Sequence, residues 1–190
     1  TTITAGLLTL FAMTSHADDN IVVGGKNFTE QQIISSMTAQ YLDHLGYDVD
    51  KRAGMGSAVL RQAQENGQVD LYWEYTGTSL IVFNGVEEKL DSQETYDRVK
   101  ALDAEKGLAW LEPSGVNNTY AIAMREADAE AMEITSISDM AEAVNAGEDL
   151  LFASNAEFYA RPDGLRPMQD IYGFQFERSD IKRMDTGLTY

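Results

Sequence analysis

Asp70-Leu71-Tyr72-Trp73-Glu74-Tyr75-Thr76-Gly77-Thr78 sets three aromatic rings and two carboxylates directly ahead of a glycine. Its first part alternates. Val69, Leu71, Trp73 and Tyr75 would leave a strand on one side, and Asp70, Tyr72 and Glu74 on the other. Aromatic and β-branched side chains suit a pleated surface, so the pattern predicts a strand. Thr76-Gly77-Thr78 then predicts a sharp turn whose hydroxyls can cap a helix. Rings and carboxylates at a strand's carboxyl end lie where open α/β sheets bind ligands. An ordinary core strand is the alternative.

Outward from this stretch, strand and helix patterns alternate. Ile21 to Gly25 predicts a short strand ending in glycines, and Thr29 with Gln32 predicts a capping box. Ile33, Ile34, Met37, Tyr41, Leu42 and Leu45 follow at helical spacing, up to Gly46. Tyr47 to Ala53 predicts a second strand, and Ser57 a helix cap with Asn66-Gly67 closing that helix. Downstream, Asp91 with Glu94 predicts a second capping box for a helix ended by Gly107. The order β-α-β-α-β is that of a parallel sheet covered by helices, an α/β class.

Glu112-Pro113-Ser114-Gly115-Val116-Asn117-Asn118 gathers turn formers and predicts a domain crossing, which divides the chain into 18–115 and 116–190. Beyond it, strands are predicted over 119–124, 150–153, 174–176 and 181–184. Ser136 with Asp139 predicts a capped helix. A helix from Glu157 is interrupted at Pro162-Asp163-Gly164 and resumes to Tyr172.

Residues 1–17 run apolar through Gly6 to Met13 and end Ser15-His16-Ala17, which predicts the back part of a cleaved signal peptide. Export to a periplasm follows from that, and the apolar run is too short for a transmembrane anchor. A buried amino-terminal helix is the alternative.

Lys and Arg number 14 against 31 Asp and Glu, a net charge of −17. Such a surface repels phosphates, which argues against a nucleic-acid partner. With no cysteine, disulfides, thiolate catalysis and zinc-cysteine sites are excluded together. A single histidine beyond the leader, His44, argues against a Ser-His-Asp triad, and Gly24-Gly25-Lys26 lacks the remaining residues of a phosphate-binding loop.

A dispersed set of candidate ligand contacts remains. Lys26 lies where the first strand meets the amino end of a helix, whose free N–H groups favour an anion. Taken alone, it reads as a surface lysine of a βα loop. Tyr120 follows the predicted crossing and reads equally as a core tyrosine. Arg161 sits at a helix interruption, where a guanidinium can grip a carboxylate with two bonds or pair with Asp163 at the surface.

In combination, Gly25-Lys26-Asn27-Phe28-Thr29-Glu30-Gln31, the opening stretch, Asn118-Thr119-Tyr120-Ala121, and Glu157-Phe158 with Arg161, Asp163-Gly164-Leu165 and Tyr172-Gly173 resemble one family. It is the substrate-binding proteins of ABC importers for quaternary ammonium osmolytes such as glycine betaine, choline and carnitine. The resemblance implies a two-lobed periplasmic binding fold of type II, with mixed sheets flanked by helices and the ligand between lobes. It implies a small-molecule ligand and a membrane permease as partners, with no cofactor, no metal and no catalysis. Carried over, Tyr75 and Tyr120 would wall a cage around the trimethylammonium head, with Thr78 and Gln31 as polar neighbours. Lys26 and Arg161 would meet a carboxylate, and Asn118 would line the second lobe. A quaternary ammonium has no hydrogen-bond donor, so aromatic faces are the efficient way to select it.

Trp73 stands where relatives commonly have proline, and Asn118 where some have aspartate. Relatives also continue past the position of Tyr190, so a further segment is expected to return to the first lobe and add cage tyrosines. The competing readings are a ligand-sensing domain of the same fold and an exported hydrolase using carboxylates.

Overall fold

The computed structural model describes residues 20–189. The leader expected over residues 1–17 lies outside them.

Strand β1 (Asn20–Lys26) pairs in parallel with β2 (Asp48–Met55), in register from Asn20 opposite Asp48 to Gly25 opposite Ala53. Parallel neighbours need a long crossover, which helix α1 (Thr29–His44) supplies. Helix α2 (Ser57–Glu65) follows β2. A Cβ on Gly25 would lie 2.8 Å from Ser35 Oγ, and one on Gly24 would lie 2.6 Å from Leu60 Cδ1. Consecutive strand residues face opposite sides, so this glycine pair lets α1 close on one face of β1 and α2 on the other. The first core forms on the α2 side, from Leu60, Ala63 and Val69 with Val22, Met55 and Tyr72 against them.

Helix α1 departs from its predicted face. Gln31 and Ser35 are the buried residues, whereas Ile33, Met37, Tyr41 and Leu45 are exposed. The close approach at Gly25 admits only a small side chain such as Ser35, and that contact fixes the helix's rotation. The predicted Thr29–Gln32 capping box is not formed either. Phe28 is the capping position, and the Gln32 amide donates instead to the Lys26 carbonyl at 3.0 Å.

The predicted strand over the opening stretch shrinks to a single parallel bridge between Leu71 and Val23, held by the Gly24 N–H to the Leu71 carbonyl at 2.8 Å. Alternation fails after Leu71, because Trp73 is exposed while the Glu74 side chain is drawn inward. The Glu74 carboxylate takes the Tyr75 backbone N–H at 2.8 Å, so side-chain bonding replaces the ladder there. The chain then enters a short helix, α3 (Thr76–Thr78), which widens into a π-helical turn over Ser79–Phe83.

Helix α4 (Ser92–Ala104) has the predicted capping box, with Asp91 and Glu94 bonded reciprocally at 2.8 and 3.1 Å. It carries Asp103, fully buried, into a cluster of donors. Arg61 meets the carboxylate with two bonds of 2.7 and 3.0 Å, joined by Ser79 Oγ, the Asn84 amide and the Trp110 indole. Asp103 thereby ties α2, α4 and the π-helical turn together.

The carboxy-terminal half has its own core of Met140, Ala141, Phe152, Leu165, Phe174 and Phe176. Around it run α5 (Glu126–Ala131), α6 (Ile137–Ala146), β3 (Phe152–Ser154), α7 (Ala156–Ala160), α8 (Leu165–Tyr172) and β4 (Ile181–Arg183). Ser136 caps α6 as predicted, accepting the Asp139 N–H at 3.1 Å. Strands β3 and β4 pair in parallel. No strand forms over 119–124 or 174–176. Phe174 and Phe176 meet edge to face and Phe176 stacks on Phe152, so their apolar spacing serves the core rather than a ladder.

Both sheets of the described residues are two-stranded and parallel, which corrects the expected mixed sheets. No helix among the described residues is long and apolar enough to cross a membrane.

Candidate functional site

The end of β1 delivers Lys26 into the interior, not to the surface. It is 1% exposed, with its ammonium 2.5 Å from Glu74 and 5.0 Å from the centre of the Tyr75 ring. Glu74 also accepts the Tyr72 hydroxyl at 2.9 Å. Burial, and after it the Glu74 charge, pushes the Tyr72 phenol well above its ordinary range.

Gln31, in the first turn of α1, is completely buried and serves three partners. Its amide donates to the Trp73 carbonyl at 2.9 Å and the Tyr75 hydroxyl at 3.1 Å, and its oxygen accepts the Lys26 N–H at 3.2 Å. The Tyr75 hydroxyl in turn donates to Glu30. Burial and the Glu30 bond raise the Tyr75 phenol as well. Tyr75 is therefore held at its backbone by Glu74 and at its hydroxyl by Gln31 and Glu30, while its ring faces a cation.

From the other half, Arg161 repeats this chemistry. It grips Asp163 through two bonds of 2.5 and 2.9 Å and lies 5.1 Å from the centre of the Tyr120 ring. Burial works against the guanidinium's charge, but the Asp163 bond outweighs it and raises the Arg161 pKa. Tyr120 packs at a tilt on Phe158, centroids 4.9 Å apart, and stays 45% exposed.

Among the described residues, hydrogen bonds join the halves at three places. Ser57 Oγ donates to Glu157 at 2.8 Å, Arg161 Nη1 to Thr78 Oγ1 at 3.3 Å, and the Asn118 amide to Glu30 at 3.3 Å. Lys26, Tyr75, Thr78, Asn118, Tyr120 and Arg161 all line the cleft so bounded. Gln31 stands behind it, supporting Tyr75.

The structure thus brings the sequence-predicted residues together, but it gives several of them other partners. Lys26 is neither a surface lysine nor free for a ligand, since Glu74 takes its ammonium. Arg161 has the Asp163 pair foreseen as its alternative, yet its side chain is only 7% exposed. Tyr120 is not in a strand. Sequence reasoning missed Glu74, Glu30, Ser57 and Glu157 as partners. Glu74 and Glu30 are adjacent in sequence to Tyr75 and Gln31, which was the available signal. Nothing local links Ser57 to Glu157, 100 residues on. Among the described residues, no group of three or more His, Asp and Glu is arranged to hold a metal.

Two small α/β cores face one cleft, lined by polar and aromatic groups from both. The OpuAC family model, described as the substrate binding domain of ABC-type glycine betaine transport system, matches residues 19–190, and the chain belongs to that family. A glycine-betaine-binding protein of Pseudomonas aeruginosa is 50% identical over 187 residues, covering 95% of this chain and 60% of that protein. The glycine betaine-binding protein YehZ of Escherichia coli is 32% identical over 192 residues, covering 97% of this chain and 63% of YehZ. The solved structure of apo YehZ superimposes with a TM-score of 0.54 at 31% identity, over 88% of this chain and 61% of that one. The chain therefore spans somewhat over half the length of these relatives.

Proposed function

We propose that this protein is a periplasmic receptor that captures glycine betaine, choline or a related quaternary ammonium osmolyte and hands it to an ABC importer's permease. The two halves are the lobes of a type II binding fold, divided at the crossing near residue 115, and the ligand is held between them without chemical change. Tyr75 and Tyr120 receive the trimethylammonium head, Thr78 and Asn118 line its surroundings, and Arg161 turns positive charge toward a ligand carboxylate, while Lys26 stays paired with Glu74 beside the Tyr75 ring. Gln31 holds Tyr75 in place.

One observation carries this reading. A tyrosine from each half lines the same cleft, and each ring already has a cation about one ring-contact distance from its centre, at 5.0 Å for Lys26 on Tyr75 and 5.1 Å for Arg161 on Tyr120. Ring faces that lie beside protein cations supply the kind of surface a quaternary ammonium head needs, which supports the reading. The family membership and the glycine betaine named for the two relatives support the ligand class.

Calorimetric titration with glycine betaine, choline, carnitine and proline tests the reading. Saturable binding of at least one quaternary ammonium, tighter than proline, is expected. Heat from none of them, or release of a cleaved product on incubation with esters or glycosides, would overturn it.

A further inference from the structure

The Glu30 carboxylate lies in the same cleft as both tyrosines. Its Oε1 accepts the Tyr75 hydroxyl and, at 3.3 Å, the Asn118 amide. Both donors are neutral. The neighbouring carboxylates differ in this respect, since Glu74 pairs with Lys26 and Asp163 with Arg161, and Glu157 lies 3.9 Å from the same guanidinium. Among the described residues Glu30 takes part in no ion pair. Lys26 and Arg161 thus stand against Glu30, Glu74, Glu157 and Asp163, a net negative group, and Glu30 is the member paired with neither cation.

Resting on the quaternary ammonium reading above, we propose that Glu30 is a specificity-determining residue that favours ligands with a net positive charge over zwitterions. A cation on the Tyr75 ring sits within about 6 Å of its centre, and the hydroxyl of that same ring is bonded to Glu30. The carboxylate therefore attracts any quaternary head held there. Glycine betaine also carries a carboxylate, which Glu30 repels across the small ligand, whereas the choline hydroxyl meets no such repulsion. Charge at this position therefore separates two ligands whose heads are identical. Its hydrogen bond to Asn118 places that same charge where the two halves meet over the ligand.

The test is a pair of affinities, for choline and for glycine betaine, measured by calorimetry on the full-length protein and on Glu30→Gln. Glutamine keeps an oxygen to accept the Tyr75 hydroxyl and removes the charge. Choline should weaken about three- to tenfold and glycine betaine by less than about twofold, with Glu30→Asp keeping the parent's ratio. Equal losses for both ligands in Glu30→Gln would overturn the inference and mark Glu30 as structural. A second measurement needs no variant: raising the ionic strength should weaken choline binding by the unaltered protein more than betaine binding, because salt screens the charge of the site. An equal response also overturns the inference. If the unaltered protein binds neither ligand, the quaternary ammonium reading fails and this inference with it.

Discussion

The Lys26 ammonium and the Glu74 carboxylate, from positions 48 residues apart, meet at 2.5 Å with side chains only 2% and 6% exposed. Glu74 is also bonded to the backbone N–H of Tyr75, so this ion pair sets where that ring begins. A buried charge pair is costly to break from one side, because the remaining charge keeps its desolvation penalty without its partner. Glu74→Leu alone should therefore destabilise the fold by about 3–5 kcal/mol, read from urea denaturation. Adding Lys26→Met should recover a large part of that loss. Additive losses in the double variant would show that the two charges do not depend on each other.

The two cleft tyrosines should respond differently to loss of the hydroxyl. Removing either ring, in Tyr75→Ala or Tyr120→Ala, should weaken quaternary ammonium binding by the roughly 0.5–2 kcal/mol of a cation–ring contact. Tyr120→Phe should cost little. Tyr75→Phe should cost more, because the Tyr75 hydroxyl bonds Glu30 and accepts from Gln31. Calorimetry on the four variants decides this. Equal losses for Phe and Ala at Tyr120 would contradict the role of its ring face.

These residues show how far the sequence could be read. The family motifs placed Lys26, Tyr75, Thr78, Asn118, Tyr120 and Arg161 on one cleft, and the glycine-ended strand, the Asp91 box and the Ser136 cap all formed where predicted. Local chemistry made those two caps legible, but the Thr29–Gln32 box did not form and the capping position of α2 is Gly56, not Ser57. The strand over 69–75 was not, because its alternation was interrupted by Glu74 turning in toward Lys26, a partner far away in the chain. Nor was the buried face of α1, which hydrophobic spacing assigned to Ile33 and Met37. There the decisive contact is Ser35 against Gly25, between two small residues that carry no hydrophobic signal.

Arg161 should separate the ligands by their anionic end. Its guanidinium is braced by Asp163 and reaches Thr78 across the cleft. Arg161→Ala should weaken glycine betaine more than choline, by about the 1.5–3 kcal/mol of a charge-assisted hydrogen bond, since only betaine presents a carboxylate. Parallel titrations check it. Equal weakening would assign Arg161 to joining the halves and nothing more.

Acid should expose the importance of Asp103. Burial raises its carboxyl, but the bonds from Arg61, Asn84, Trp110 and Ser79 outweigh burial and hold it well below the ordinary carboxylate range. In the unfolded chain it titrates near about pH 3.9. A depressed folded-state value means that its stabilisation is fully present above that pH and is lost as pH falls toward the folded-state value. Urea denaturation between about pH 7 and pH 3 should show stability falling at the acid end. Asp103→Asn should be less stable at neutral pH and should fall less steeply in acid. An unchanged slope would place the acid sensitivity in other carboxylates.

The most direct measurement is a crystal structure of the protein with glycine betaine bound. The trimethylammonium head should lie within about 6 Å of the ring centres of both Tyr75 and Tyr120, with the ligand carboxylate toward Arg161. A betaine bound with its head away from both rings would contradict the account.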